Sequence, residues 1–420
     1  MPLAHDIGTG LYHTAIRAAA PFLPKARGWL QGRQGLWERL EAKREALRGC
    51  LWMHCASTGE FEQGLPVLEA IKAERPELPV LVTFFSPSGH EAFKDFPLAT
   101  HVEYLPPDSA ANARRLVALL RPKAVLWMRY EFWYHHLKAL ADAAVPTFLV
   151  SGIFRPQHPF FRWYGGSWRA MLRYFEHLFV QDEASRVLLA GIGVAHATVS
   201  GDTRFDRVAA IVADGGELPI AAGFRGAGPV LVCGSTWPAD EALLGEAFRI
   251  MGTAPKCLVA PHELREAALR DTEQRFPKPL ARWSELEGAT RDNIAATLGA
   301  EPGGTLLVDR MGLLARLYRY GDMAYVGGGF GQGVHSLLEP AAWGLPVVFG
   351  PNHAKFAEAK GLIDAGAGFE VRDAEGLALV LGSLLSDPAV LRKASEAAAR
   401  YTAERRGATE RMMDELLGRF

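Results

Sequence analysis

The sequence predicts an α/β protein made of two doubly wound, Rossmann-like domains. Three observations carry this. The 420 residues exceed what one ordinary core supports, so two domains are the default. From residue 50 onward, short apolar runs alternate with amphipathic stretches, as in a parallel sheet covered by helices on both faces. The alternation pauses once, in a Gly-, Ala- and Pro-rich stretch, and then restarts at similar length.

The N-terminal region precedes the first strand. Leu11 to Leu23 is apolar but interrupted by His13, Arg17 and Pro21. It falls short of the ~18 to 20 apolar residues of a spanning helix, and no signal-peptide pattern is seen. Residues 1–49 hold eight Lys/Arg against four Asp/Glu, and Trp29 lies nearby. A helix on a membrane surface and a helix packed on its own domain both fit.

In the first domain, residues 1–215, strands are expected at Leu51–Ala56, Pro79–Phe85, His101–Leu105, Ala124–Met128, Thr147–Val150 and His177–Val180. Helices are expected at Glu60–Glu74, Ser109–Leu120, Phe132–Ala143 and Glu183–Leu189. Residues 213–219 and 223–229 read as the linker. In the second domain, residues 226–420, strands are expected at Val230–Cys233, Lys256–Ala260, Thr305–Val308, Met323–Val326, Pro346–Phe349 and Gly368–Val371. Residues 373–420 read as helical.

Composition narrows the function. Hydrophobic residues make up 49% and charged residues 22%, which is globular. A formal net charge of -1 speaks against a nucleic-acid binder held by bulk charge. Of the four cysteines, Cys55, Cys233 and Cys257 lie in apolar strand-like runs, and Cys50 precedes one. No metal-ligand spacing appears, so no metal site and a reducing compartment are expected.

Ligands of doubly wound sheets bind beyond the C-terminal ends of the strands. Polar residues cluster at those positions. Gly327 to Pro351 reads as strand end, glycine turn, short helix and strand. Gly328 and Gly329 can bring backbone N–H groups to a phosphate. Glu339 lies four residues after His335, one turn along the expected helix, where its carboxylate can accept from sugar hydroxyls.

Ser57-Thr58-Gly59-Glu60 joins the first strand to the first helix without a full dinucleotide fingerprint. Glu60 can take a proton from an attacking hydroxyl, or simply complement a helix dipole. Glu131 follows another strand and can join it, or cap a helix beside aromatic residues. Arg204, in Gly201-Asp202-Thr203-Arg204-Phe205-Asp206, can neutralise a leaving phosphate or pair with Asp202 or Asp206. Ser235, the Pro261-His262-Glu263 turn and the Met311-Gly312 turn also end strands. Phe154 to Arg173 mixes aromatics and arginines, as a lipid-facing or a half-buried amphipathic segment does.

With these motifs in place, the chain resembles the Kdo (3-deoxy-D-manno-octulosonic acid) transferases of lipopolysaccharide assembly. The resemblance rests on W-M-H-C-A-S-T-G-E-F-E-Q (Trp52–Gln63), V-T-F-F-S-P-S-G (Val82–Gly89), R-Y-E-F-W-Y (Arg129–Tyr134), S-G-D-T-R-F-D-R (Ser200–Arg207) and the Gly327–Pro351 block. It implies a GT-B glycosyltransferase, with an N-terminal acceptor domain facing a C-terminal nucleotide-sugar domain across a cleft. The implied reaction moves Kdo, with inversion, from CMP-β-Kdo to a lipid A precursor (lipid IVA). The implied setting is the cytoplasmic face of a Gram-negative inner membrane, with no cofactor beyond the donor. The proton acceptor falls on Glu60 and the transition-state stabilisers on Glu131 and Arg204. Nucleotide contacts fall on Pro261, His262 and Glu263, on Met311, Gly312 and Leu313, and on Ser336, Leu337, Leu338 and Glu339.

Three departures stand out. Pro261-His262-Glu263 replaces P-R-H-P, His335-Ser336-Leu337-Leu338-Glu339 replaces H-N-x-L-E, and Arg129 stands where many members carry an acid. The alternatives are another GT-B nucleotide-sugar transferase or epimerase, and a non-catalytic lipid A-binding homologue.

Overall fold

The computed structural model describes residues 2–226, 228–298 and 303–419. They form two compact units. One holds the residues up to Arg207 together with those from Gly407, and the other runs Val208–Arg406.

The first unit is built on seven parallel strands: β1 (Leu51–Cys55), β2 (Val80–Phe84), β3 (His101–Tyr104), β4 (Ala124–Met128), β5 (Thr147–Gly152), β6 (His177–Val180) and β7 (Ala197–Val199). Their order is β3-β2-β1-β4-β5-β6-β7. Every residue of β1, β2, β4 and β5 is buried, which is why these strands read as continuous apolar runs. One face packs Trp52, Leu81 and Trp127 against Leu116, Leu120 and Leu137. The other packs Met53, Val82 and Leu126 against Phe61, Leu65 and Leu68 of the helix Thr58–Glu74.

The second unit repeats the plan with β8 (Val230–Thr236), β9 (Lys256–Pro261), β10 (Leu280–Arg282), β11 (Thr305–Leu307), β12 (Met323–Val326), β13 (Val347–Phe349) and β14 (Gly368–Glu370). Their order is β10-β11-β9-β8-β12-β13-β14. The winding direction reverses between β1 and β4, and again between β8 and β12. Such reversals open a crevice at the carboxyl ends of the strands, because the flanking connections depart to opposite faces.

The structure departs from the sequence reading in several places. The edge strands β7 and β10 are three residues each, too short to show a period. Part of the expected linker is a helix, Pro219–Arg225, whose Ile220, Ala221 and Phe224 enter the second core. Its small residues mimic a flexible stretch, but their spacing is that of a packed helix face.

The C-terminal helix Ala408–Leu416, read as part of the second domain, belongs to the first unit. Ala408, Met412, Met413 and Leu416 are buried against that unit's core. Asp206 caps this helix from a distance. Its carboxylate accepts the N–H of Gly407 at 2.7 Å, the N–H of Thr409 at 2.6 Å and the Thr409 hydroxyl at 2.7 Å. These are donors that a helix start leaves without intrahelical partners. Asp206→Ala is expected to lower stability by about 1–2 kcal/mol. It should also speed amide exchange in 408–416 more than in the sheet. Unchanged protection of that helix would refute the assignment.

The N-terminal helix Pro2–Ala19 leaves Leu11 at 67% exposure, and Phe22 beyond it at 82%. Trp29, by contrast, is buried, with the Arg33 guanidinium 3.8 Å from its ring centre. Trp29 therefore belongs to the interior and not to a surface anchor. The 154–173 segment is divided: Phe154, Phe160 and Leu172 are buried, while Trp163 is 93% exposed. All four cysteines are free and buried. No single described helix is long and apolar enough to cross a membrane.

Candidate active site

In the first unit, the site is set by where β1 and β4 end. After Cys55 the chain turns through Ala56 and Ser57 into the helix Thr58–Glu74. Ser57 has the extended backbone of an N-cap, but its side chain makes no capping bond. The carboxylate of Glu60 bends back to accept the Ala56 N–H at 2.5 Å. Gly59 beside it is exposed, with nothing near its Cα side.

β4 ends at Met128, and Arg129 turns the chain with φ +49°, a left-handed conformation that a non-glycine residue adopts at a cost. Glu131 follows. Its Oε2 accepts the Trp133 indole N–H at 2.7 Å, and its main-chain carbonyl accepts the Trp127 indole N–H. Because β1 and β4 are neighbours at the reversal, both carboxylates come to one crevice.

Electrostatics agree. Burial, and next the charge of Glu131, push the Glu60 carboxyl up to about 7, against the Ala56 N–H bond and Arg129. A carboxylate balanced near neutrality accepts and returns protons readily.

After β7 the chain turns through Gly201, Asp202 and Thr203, and Arg204 opens the helix Arg204–Asp214. Its Nε and Nη2 donate to Asp202 Oδ2 at 2.9 and 2.7 Å. Of the two partners considered from sequence, Asp202 is the one it pairs with, while Asp206 caps the C-terminal helix. Asp202 Oδ1 also accepts the Gln63 side-chain N–H at 2.8 Å, and the Thr203 hydroxyl donates to the Gln63 carbonyl. Gln63 lies one turn after Glu60, so the turn that leads into Arg204 is tied to the helix that carries Glu60. Burial raises the Asp202 carboxyl, but Arg204 and Gln63 outweigh it and hold it below its ordinary value.

In the second unit, Ser235 near the end of β8 has φ +52°. Pro261 closes β9, and the exposed His262 follows, its N–H donating to the Thr236 carbonyl at 2.9 Å. Glu263 pairs with Arg265 at 2.5 Å. Gly327–Gly329 follow β12.

The buried Asp240 joins these loops. It accepts the Tyr325 hydroxyl, the Gly328 N–H and the Trp237 N–H, each at 2.9 Å. The Trp237 indole donates to His335 Nε2 at 3.1 Å, and the His262 ring stacks on both rings, at 4.3 and 4.7 Å. Burial, then His262, lowers the pKa of His335.

Two expectations about the glycine turn need correction. The Gly328 N–H faces Asp240, so it is not presented to a phosphate. The turn is tight for the chain's own packing: a Cβ on Gly327 would sit 2.4 Å from the Ser235 carbonyl, and one on Gly329 2.6 Å from Gly350. Nor do His335 and Glu339 share a helix. The helix is Leu338–Ala342, and His335 precedes it. The N–H groups of Gly333, Val334 and His335 bond to the carbonyls of Gly328, Asn352 and Gly327, which precludes a helix there.

Leu337 and Leu338 are buried, so only their backbone can meet a ligand. Ser336 is exposed and Glu339 half-buried. After β11, Asp309 accepts Ser284 N–H and hydroxyl bonds at 3.0 and 2.5 Å. Met311 beyond it is 81% exposed, Gly312 has φ +80° and Leu313 is half-buried. β11 is separated from β8 by β9, so this turn stands one strand further out than the His262 turn.

Sequence reasoning missed Trp237 and Asp240 as organisers of these loops, and missed the bond from Gln63 to Asp202. Asp240 carried one signal, an acid in the first turn after Trp237-Pro238. Among the described residues, no group of three or more His, Cys, Asp or Glu is arranged to hold a metal ion.

Residues 31–207 match the family model described as "3-Deoxy-D-manno-octulosonic-acid transferase (kdotransferase)". A 3-deoxy-D-manno-octulosonic acid transferase of Bordetella pertussis is 30% identical over 98% of this chain and 99% of its own length. One from Aquifex aeolicus is 29% identical over 82% of this chain and 89% of its own. Among solved structures, UDP-GlcNAc 2-epimerase from Neisseria meningitidis aligns with a TM-score of 0.59 at 14% identity, covering 88% of this chain and 99% of that one. A glycosyltransferase from Rickettsia africae aligns with a TM-score of 0.53 at 12% identity, covering 88% and 97%. These likenesses match the two seven-stranded doubly wound sheets, and the fold is GT-B. With a relative of this identity spanning nearly its whole length, the chain belongs to the 3-deoxy-D-manno-octulosonic acid transferases, a family of glycosyltransferases.

Proposed function

We propose that the protein moves Kdo from CMP-β-Kdo to a lipid A precursor such as lipid IVA, with inversion, in lipopolysaccharide assembly. The observation that carries this is the pair Glu60 and Glu131 at the β1/β4 reversal, with Glu60 held near neutrality. Glu60 takes the proton of the acceptor hydroxyl as its oxygen bonds to the anomeric carbon. The bond from that carbon to the phosphate oxygen breaks, and CMP departs with the electron pair. The anomeric carbon gains positive character, which the Glu131 carboxylate stabilises. Arg204, fixed by Asp202, offers its guanidinium to the departing phosphate. No cofactor is needed, since positioning and these charges supply the assistance.

In this reading the first unit takes the acceptor and the second the donor. Trp133, which bonds Glu131, also lines a cavity of about 480 Å³ with Tyr12, Tyr134 and Trp168. Its apolar wall suits the hydrocarbon part of a lipid. Exposed Leu11 and Phe22, with Arg17, Lys25 and Arg27 close in sequence, support attachment to the cytoplasmic surface of the inner membrane.

The test is incubation with freshly made CMP-Kdo and lipid A precursor. The expected result is release of CMP and a gain of Kdo mass on the acceptor, inhibited by CMP and not by UDP. Inhibition by UDP alone would instead indicate a UDP-sugar enzyme of the same fold.

A further inference from the structure

Beneath Glu131 lies a buried imidazole that the proposed chemistry leaves unused. His54 sits in β1 with no exposed surface, its ring 4.6 Å from that of Trp127. Its Nδ1 is 3.0 Å from the Thr83 hydroxyl oxygen and 3.2 Å from the Thr83 carbonyl, on the adjacent β2. Its Nε2 is also buried and has no hydrogen-bond partner. That atom stands 3.9 Å from Oε2 of Glu131. A buried ring nitrogen without a partner is uncommon, and one beside a half-buried carboxylate has an evident candidate. The separation is about 1 Å longer than a typical N–H···O bond, a distance a turn of the Glu131 carboxylate covers.

We propose that His54 is a positioning residue for glycosyl transfer: Nε2 and Glu131 share a proton on the buried side of the carboxylate, fixing its place and its charge. This rests on the reading of Glu60 as the base. The surroundings fit. The other bond to Oε2, from the Trp133 indole, approaches from the cavity-lining side chain. Glu60, on the helix after β1, responds to the charge of Glu131. Arg129, at the end of β4, has a buried Nε without a partner. From the helix Tyr134–Asp142 comes His136, lowered in pKa by burial and bonded through Nε2 to the Pro106 carbonyl, with Asp108 3.9 Å away. Tyr12, raised by burial, also senses Glu131. The proton shared by His54 and Glu131 therefore bears directly on how strong a base Glu60 is. The simpler alternative is a core histidine held by Thr83 alone.

Two substitutions separate these readings. His54→Asn keeps an amide for Thr83 and removes the atom at Nε2, while His54→Gln extends an amide toward Glu131. Expected for the Asn variant is an about 10²-fold fall in kcat with an unchanged KM for CMP-Kdo, as for a misplaced catalytic group. The rise of its rate with pH should move to higher pH, because Glu131 loses its shared proton. His54→Gln should restore most of the rate. A folded Asn variant with the wild-type rate and pH profile would overturn the proposal.

A second readout does not depend on turnover. In the ¹⁵N-histidine spectrum of the full chain, Glu131→Gln should shift the Nε2 resonance of His54, identified by its loss in the Asn variant. An unmoved signal rejects the shared proton. Absence of CMP release by the wild type rejects the donor reading instead, and leaves the spectrum to decide on His54.

Discussion

Glu60→Gln is expected to lower kcat/KM by about 10³-fold, within the usual span for loss of a general base. Glutamine keeps an oxygen for the Ala56 N–H, so the helix start survives while the proton acceptor disappears. The pH dependence makes the test specific. With Glu60 pushed up to about 7, the wild-type rate should rise through that pH and level off above it. The second cause of that elevation is the charge of Glu131, so Glu131→Gln should move the rise to lower pH while reducing the rate itself.

Stability should run the opposite way to activity. The Glu60 carboxyl has a higher pKa folded than its ordinary 4.5, so the folded chain holds this proton more tightly than the unfolded chain. Its favourable contribution is full below pH 4.5 and is lost as pH rises through about 7. Glu60→Gln should flatten that part of the stability profile. A Gln variant that retains the wild-type rate, with native unfolding behaviour, would rule Glu60 out as the base.

The positions of both carboxylates were legible because strand ends are legible. Buried parallel strands read as apolar runs, and a polar residue just after such a run must lie at the sheet edge. What sequence cannot show is pairing across the fold. Arg204 has an acid two residues away on each side, and only the fold assigns Asp202 to it, by setting Asp206 on the C-terminal helix and Gln63 beside Asp202. His54 reads as one more residue of a buried strand, and its relation to Glu131 depends on β4 lying beside β1. The glycine turn misled for a physical reason. Glycines that admit a phosphate and glycines that admit a neighbouring backbone leave the same letters, and at Gly327 and Gly329 the neighbour is the chain itself. The helix Pro219–Arg225 misled similarly, since alanine and glycine serve close packing as well as linkers.

The second large effect is expected at Asp240. This carboxylate is 1% exposed and receives three donors, from Tyr325, Gly328 and Trp237, so it ties β12, the glycine turn and the loop after β8 together. Asp240→Ala leaves all three donors buried without their acceptor. At about 1–3 kcal/mol for each unsatisfied group, with some relief from entering water, the loss should reach about 3–5 kcal/mol. Asp240→Asn keeps one oxygen for the Gly328 and Trp237 N–H groups, and the Tyr325 hydroxyl can turn to accept from the new amide. Its cost should therefore be much smaller. Tyr325→Phe removes one donor together with its need and should cost about 1 kcal/mol. Urea unfolding midpoints of the three variants test this order. If Ala and Asn cost the same, the three donors must find other partners and Asp240 does not organise the loops. The same series separates the two units chemically. Asp240→Ala should disturb the Trp237–His335 bond, and with it the CMP binding proposed for these loops, whereas the charges and the hydrogen bond that act on Glu60 come from Glu131, Arg129 and Ala56 of the first unit. An Asp240 variant that remains folded should thus lose donor affinity while its rate still rises with pH through about 7.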